Sequence, residues 1–271
     1  MPELPEVETT RLGIRDFVIQ SPIKKVIVRE SRLRWSVPNN LNRLLSKVTF
    51  NEITRRGKYL LFHTKSGCLI VHLGMSGHLR IVPAATPIQK HDHIDWVFNN
   101  GNALRYTDPR RFGAVLWTQD PLQHILLKHL GVEPLNDEFN TEYLFNICKK
   151  RSAPIKQLIM NSRVMVGVGN IYASEALFAS GICPTTLACK LSKPRINKLV
   201  IAIKRILEKA IIAGGTTLKD YYGAQGQKGY FSLSLAVYGR KGEACQKCAT
   251  PIKMITLGQR STFYCSKCQK Y

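Results

Sequence analysis

Near the C-terminus, Cys245-x2-Cys248 and Cys265-x2-Cys268 stand with sixteen residues between the pairs, and no other feature restricts this chain so tightly. Each Cys-x-x-Cys sets two thiolates on one tight turn, and two such turns close a tetrahedron around Zn²⁺. Two disulfides are the competing use of four cysteines; the paired spacing favours the metal. A terminal segment this short has little core of its own, so binding the metal also folds it. The expectation is one structural zinc ion held by Cys245, Cys248, Cys265 and Cys268.

With 271 residues the chain can bury a sizeable core and is expected to form more than one domain. Its start, Met-Pro-Glu-Leu-Pro-Glu, is acidic where a secretory signal is basic, and no apolar run is long enough to cross a bilayer. These features predict a cytoplasmic protein with Cys68, Cys148, Cys183 and Cys189 as buried, reduced thiols. Forty Lys and Arg against 18 Asp and Glu give a formal charge of +22. Self-repulsion on that scale calls for a polyanionic partner. Nucleic acid fits, bound through counterion release with little sequence preference and strong salt dependence.

The apolar pattern changes along the chain. Pro5 suits the first position of a helix over residues 4–20, Glu6 and Glu8 complement its dipole, and Leu12 and Phe17 are expected to face inward. Short β-rich runs follow at 23–29, 58–64, 68–73, 94–98, 103–106 and 113–118, with Asn100-Gly101 as a hairpin turn. They predict a β-sandwich or barrel-like domain. From Pro121 the period becomes helical, with helices expected at 122–130, 141–150, 154–160 and 171–180. A longer amphipathic one carries Ile196, Leu199, Val200, Ile203 and Leu207 and ends at Gly214-Gly215.

Three stretches can carry chemistry. Val166-Gly167-Val168-Gly169-Asn170 joins two helices, with Asn170 as N-cap; it is either a packing turn or a phosphate cradle. Asp108-Pro109-Arg110-Arg111-Phe112-Gly113 lies between β runs, where the arginines can reach phosphates and Phe112 can wedge into a base stack. A plain hairpin with a buried Phe112 is the alternative. Met75, in Gly74-Met75-Ser76-Gly77, is either core or an apolar probe. Trimming of Met1 leaves Pro2 as a secondary amine with a pKa of about 8. Its attack on a sugar C1′ gives an iminium with no N–H proton to shed, an electron sink that acidifies the C2′ proton and permits loss of phosphate. A carboxylate at Glu3 or Glu6 would move the protons. On the residues alone, dipole pairing accounts for both glutamates better.

Taken in order, the chain resembles the formamidopyrimidine-DNA glycosylase family over essentially its whole length. The resemblance rests on Pro2 to Thr9, His72 to Gly77, Lys90 to His93, Arg105 to Gly113, Gly167 to Glu175, Gly214 to Asp220 and the four cysteines. It implies an α+β architecture: an N-terminal β-sandwich domain with an N-terminal helix (1–130), a helix-two-turn-helix DNA-binding domain (131–235) and a zinc-finger β-hairpin (236–271). It also implies a monomer of the bacterial cytosol and nucleoid. Its partner is double-stranded DNA containing oxidised bases or abasic sites, from which 8-oxoguanine and formamidopyrimidines are removed before β,δ-elimination. By the same resemblance Pro2 is the Schiff-base nucleophile and Glu3 the general acid/base, while Lys58 is linked to the lesion and its phosphate. Met75, Arg110 and Phe112 fill the gap left by the flipped nucleotide. Asn170 and Arg260 clamp phosphates, and His72, His91 and Arg151 touch DNA. For Arg260, also credited with donating a proton in δ-elimination, phosphate orientation is the better physical role, because a guanidinium is a poor acid. The segment from Tyr221 to Gly229 matches the lesion-recognition loop and departs most from the family pattern. An endonuclease VIII-like enzyme for oxidised pyrimidines is the near alternative, which Leu4 and the trio of Met75, Arg110 and Phe112 disfavour. A catalytically inert DNA-binding protein is the distant one; the presence of Pro2, Glu3 and Lys58 argues against it.

Overall fold

The structure is a computed structural model that describes residues 2–19, 21–214 and 235–271. Of the segments singled out above, the stretch after Gly214 and the loop from Tyr221 to Gly229 lie outside these residues. The described chain forms two compact units, one within residues 1–128 and one from His129–Ile212 together with residues 235–271.

The first unit opens with helix α1 (Leu4–Val18), started by a capping box in which the Glu3 N–H donates to Glu6 Oε2 at 2.8 Å. Leu4, Val7, Ile14 and Val18 form its buried stripe. That stripe turns Leu12 and Phe17 outward, 47% and 41% exposed, so the expectation that they face the core fails. After β1 (Ile23–Val28) and the short α2 (Leu41–Leu45) come β2 (Glu52–Arg56), β3 (Tyr59–His63), β4 (Cys68–His72), β5 (His78–Pro83), β6 (Asp92–Phe98), β7 (Asn102–Thr107) and β8 (Ala114–Thr118). They form two antiparallel four-stranded sheets, β1-β6-β7-β5 and β2-β3-β4-β8. The sandwich core between them includes Phe50, Phe62, Leu69, Trp96 and Leu104. The sequence pattern misses β2 and β5 because both are sheet edges with half-exposed polar faces. β6 is buried throughout, and its Asp92 and Asp95 are paired with the buried Arg105, at 3.4 and 2.9 Å. Burial opposes ionisation of Asp95, yet hydrogen bonds from Arg105 and Arg29 hold its carboxyl below the usual range.

The second unit is helical, built from α3 (Thr141–Lys149), α4 (Ile155–Ile159), α5 (Asn170–Ala179) and α6 (Lys193–Ile212). Residues 122–130 are turns rather than the expected helix: Leu127 is buried, but Leu122 and Ile125 stand 78% and 70% exposed, so the apolar residues do not form one buried stripe. α5 is buried on nearly every side, packed on α4, α6 and strand β10 (Arg260–Tyr264). Its Glu175 carboxylate accepts backbone N–H bonds from Ala236, Val237 and Tyr238 at 2.8 to 3.0 Å, which anchors the chain as it enters the cysteine segment. There β9 (Lys253–Leu257) pairs with β10 through a two-residue turn in which Gly258 and Gln259 both take positive φ, +55° and +59°. That is the twist a tight hairpin needs, and it leaves Arg260 exposed directly after the turn. Of the four remaining cysteines, Cys68, Cys148 and Cys183 are buried as expected, whereas Cys189 is exposed.

Candidate nucleic-acid interface and active site

Pro2 and Glu3 are buried at the start of α1. The capping box is reciprocal, the Glu3 carboxylate accepting the Glu6 N–H and the Glu6 carboxylate the Glu3 N–H, so both acids considered for proton transfer have a structural task. α1 packs on β2, β3 and β5, and Glu8 pairs with Arg55 of β2 at 2.9 Å. β2 and β3 meet in the turn Gly57-Lys58, where Gly57 takes φ +58° and Lys58 is half-buried. Across the sheet Tyr59 pairs with His72, their rings 4.7 Å apart. Burial pushes the His72 imidazole down to about 4, and the charges of Lys58 and Arg34 push the same way. Its Nδ1 accepts the Gly74 N–H at 3.1 Å, so near neutrality the ring is uncharged with its proton on Nε2, a donor without a positive charge.

The loop 74–77 and the loop 108–113 are locked together by one buried carboxylate. Asp108 Oδ1 accepts from Ser76 Oγ at 2.7 Å and the Arg110 N–H at 3.3 Å; Oδ2 accepts from Tyr106 OH at 3.1 Å and the Gly113 N–H at 2.9 Å. The backbones are so close that a Cβ on Gly74 would lie 2.5 Å from the Gly113 nitrogen, and one on Gly113 would strike the Tyr106 hydroxyl. This scaffold presents Met75 and Phe112 outward, 40% and 44% exposed. Neither is core, so the buried alternative fails for both. The Arg110 guanidinium lies 4.7 Å over the Phe112 ring. His91 is half-buried beside a cavity of about 570 Å³ shared with Arg80 and Lys90, and its carbonyl accepts the Asp108 N–H.

A second cationic surface flanks Phe112. Glu30 binds Arg32 through two bonds of 2.8 and 2.7 Å and also pairs with Arg111 at 3.2 Å. The Arg32 side chain, then its backbone N–H, draws the Glu30 carboxyl down to about 2.

In the helical unit Asn170 is not the N-cap. Gly169 occupies that position, and the Asn170 side chain is free to bond elsewhere. Its Oδ1 accepts from Lys156 Nζ at 2.6 Å and its Nδ2 donates to the Ser261 carbonyl at 2.9 Å. Lys156 is almost wholly buried and also donates to Thr262 Oγ1 at 2.8 Å. The start of α5 is thereby tied to β10, one residue from Arg260. Sequence reasoning missed Lys156, since a lysine inside a short helix normally signals a solvated face. Among the described residues the side chains of Arg260 and Arg151 have no carboxylate partner; Arg151 stands apart, beyond the end of α3.

The four cysteines of the C-terminal hairpin gather with all Sγ atoms within 4.8 Å of one another. The Cys245–Cys268 and Cys248–Cys265 sulfurs are 3.9 and 3.4 Å apart, close to the roughly 3.8 Å edge of a tetrahedron with Zn–S bonds of about 2.3 Å. All four are free thiols, so this donor set fits zinc and not disulfides. No helix among the described residues is long and apolar enough to cross a membrane.

Comparison with known proteins matches three family models in order along the chain: the formamidopyrimidine-DNA glycosylase N-terminal domain at residues 1–115, the formamidopyrimidine-DNA glycosylase H2TH domain at 130–221, and the zinc finger found in FPG and IleRS at 242–270. The formamidopyrimidine-DNA glycosylases of Stutzerimonas stutzeri and Escherichia coli are 53% and 52% identical, each over all of both chains. Among solved structures, the MutM (Fpg) protein of Thermus thermophilus aligns with a TM-score of 0.88 at 35% identity, covering 99% of this chain and 98% of that one. Lactococcus lactis Fpg in complex with abasic-site DNA aligns with a TM-score of 0.92 at 32% identity, covering 99% and 100%.

Proposed function

This chain belongs to the formamidopyrimidine-DNA glycosylase family, and from that premise we propose the roles of its residues in removing oxidised purines from duplex DNA. The enzyme is a DNA glycosylase of base excision repair and a lyase at the abasic site it creates. One observation carries the assignment of roles best: Met75 and Phe112, two apolar side chains with no core to fill, are held outward on loops that Asp108 locks together, beside Arg110, in a chain of charge +22. Apolar side chains on a rigid cationic surface suit the gap left when a nucleotide leaves the base stack.

In this reading Met75, Arg110 and Phe112 occupy that gap. The Pro2 nitrogen bonds to C1′ of the flipped nucleotide as the bond from C1′ to the damaged base breaks, and the base departs with the electron pair and takes up a proton. The amine sheds its own proton to give a neutral aminal, and the iminium forms as the C1′–O4′ bond breaks, its electron pair leaving on O4′, which takes up a proton. Loss of the C2′ proton then breaks the C3′–O bond, and the second elimination breaks the C5′–O bond. Glu3, buried beside Pro2 at the start of α1, moves these protons. Lys58 and the uncharged donor His72 hold phosphate near the reacting sugar, His91 and Arg151 contact the duplex, and Asn170 and Arg260 clamp the backbone. Cys245, Cys248, Cys265 and Cys268 hold one structural zinc ion. A closed tetrathiolate leaves no position for activated water, so the metal shapes the hairpin that carries Arg260. We read residues 1–130, 131–235 and 236–271 as the catalytic, helix-two-turn-helix and zinc-finger domains. We place the enzyme in the bacterial cytosol, at the nucleoid where its DNA substrate lies.

The test is excision from a panel of duplexes, each carrying one oxidised purine or pyrimidine. Cleavage at 8-oxoguanine and formamidopyrimidine is expected. Preferential cleavage at oxidised pyrimidines would replace this reading with the endonuclease VIII-like one, and binding with no cleavage at any lesion would replace it with the inert one.

A further inference from the structure

Phe112 and Arg110 form one wall of an open basin of about 580 Å³ whose remaining lining is Arg32, Arg34 and Arg111. The turn that carries Arg32 and Arg34 is a rigid mount. Leu33 and Val37 are buried in the sandwich core, Val37 N–H donates to the Ser31 carbonyl at 2.9 Å, and Arg34 N–H donates to the Gly113 carbonyl at 3.1 Å. With Leu33 pointing in, its neighbours Arg32 and Arg34 point out. The four guanidiniums are not equivalent. Glu30 neutralises Arg32 and Arg111, whereas neither Arg34 nor Arg110 has a carboxylate partner among the described residues. Arg110 lies over Phe112 and Arg34 lies 4.8 Å over the Trp35 ring, so each plane is covered and its N–H edge is left for an acceptor. Arg34 is also close enough to His72 to act on its charge, which places the basin beside the cluster of Lys58 and His72.

We propose that this basin is a binding site for one backbone phosphate of the duplex, with Arg34 as its principal ligand and Arg32 and Arg111 fixed by Glu30 as its walls. The proposal rests on the DNA-repair reading for its ligand and extends it to a residue outside the roles assigned above. A planar guanidinium with no internal counterion, held on a rigid turn, pays little ordering entropy when it meets a phosphate oxygen. Arg32 already has its counterion and gains less.

The test is the salt dependence of binding of the full-length, zinc-loaded protein to an undamaged duplex, followed by fluorescence anisotropy. For Arg34→Ala the slope of log K against log salt should become shallower by about 0.9, the amount expected for one phosphate contact. Affinity near 0.1 M salt should fall roughly tenfold, as expected for one charge-assisted bond. Arg34→Lys should keep the parent's slope, and Arg32→Ala should change it by less than half as much as Arg34→Ala. Both side chains are exposed, so their truncation leaves the core intact. The parent's slope in Arg34→Ala, an equal change in Arg32→Ala, or a shallow slope in Arg34→Lys would each overturn the proposal; the last would make Arg34 a reader of base edges. Because the readout is binding to undamaged DNA, a parent protein that binds but excises nothing would sink the reading of function and leave this proposal standing.

Discussion

The two units hold the residues proposed to face DNA by opposite means. In the sandwich unit the organiser is a buried anion, Asp108, which can only accept and therefore collects four donors from Ser76, Tyr106, Arg110 and Gly113. In the helical unit it is a buried cation, Lys156, which can only donate and collects oxygens from Asn170, Ser261 and Thr262. A buried charge is costly unless every lone pair or proton is used, and that demand fixes its neighbours in one arrangement. The anion steadies two loops with exposed apolar tips; the cation joins two elements from distant parts of the chain that are proposed to face phosphates. The helical unit needs a further prop, since its β9–β10 hairpin has only a small apolar cluster around Phe178, Val237, Ile252 and Phe263.

The sharpest break between the regions should come from the metal. Cys245→Ser, or chelation of the parent protein, should release zinc, unfold residues 242–270 and abolish tight DNA binding, while the sandwich keeps its melting transition. Near-parental DNA affinity in a zinc-free protein, measured alongside metal content, would mean that the hairpin does not need its ion.

Next in size is the paired removal of the two organisers. Asp108→Ala removes the carboxylate from four donors, of which the Arg110 N–H keeps Ser76 Oγ at 3.2 Å; at about 1–3 kcal/mol for each donor left unpaired where water cannot reach, a net loss of roughly 3 kcal/mol is expected. Asp108→Asn keeps the shape but turns one oxygen into a donor; with the amide nitrogen at the Oδ1 position Gly113 keeps its acceptor and the Arg110 N–H keeps only Ser76 Oγ at 3.2 Å, so the lock between the loops loosens. It should lower the excision rate at saturating DNA more than it lowers affinity for undamaged duplex. Lys156→Met should do the reverse, weakening affinity with a smaller effect on the saturated rate. Matching kinetic signatures for the two variants would erase the distinction drawn between the units.

The smallest effect is one of pH. His72 has its folded pKa depressed, so the folded protein binds fewer protons than the unfolded chain between about pH 6.5 and 4. Stability should therefore be intact above pH 6.5 and decline as pH falls, by at most about 1.4 kcal/mol per pH unit from this group. The lowered carboxyls of Glu8 and Asp95 add losses of the same sign at still lower pH. Denaturant unfolding of His72→Gln should show a flatter profile in the upper part of that window; an unchanged profile would mean that His72 is not held neutral.

Local features were legible in the sequence and distant ones were not. Cysteine spacing located the metal site, and apolar periodicity located α6, because both are encoded within a few turns of chain. The edge strands β2 and β5 carry too little apolar signal to stand out, and Leu12, Phe17 and the turns at 122–130 show that apolar residues alone do not decide which face is buried. Asn170 was legible as polar and helix-initial, but not as a bridge to Ser261, 91 residues away. The organisers were least visible, since Asp108 meets Ser76 across 32 positions and Lys156 meets Thr262 across 106.

The central claim is that the reacting amine belongs to Pro2. Incubating the protein with duplex DNA containing 8-oxoguanine or an abasic site, adding borohydride, and mapping the product by peptide mass spectrometry tests it directly. A reduced adduct joining the DNA sugar to the N-terminal peptide at Pro2, and lost in Pro2→Gly, is the predicted result. A protein that binds the same duplex but gives no adduct, or gives one at a lysine, would contradict the account.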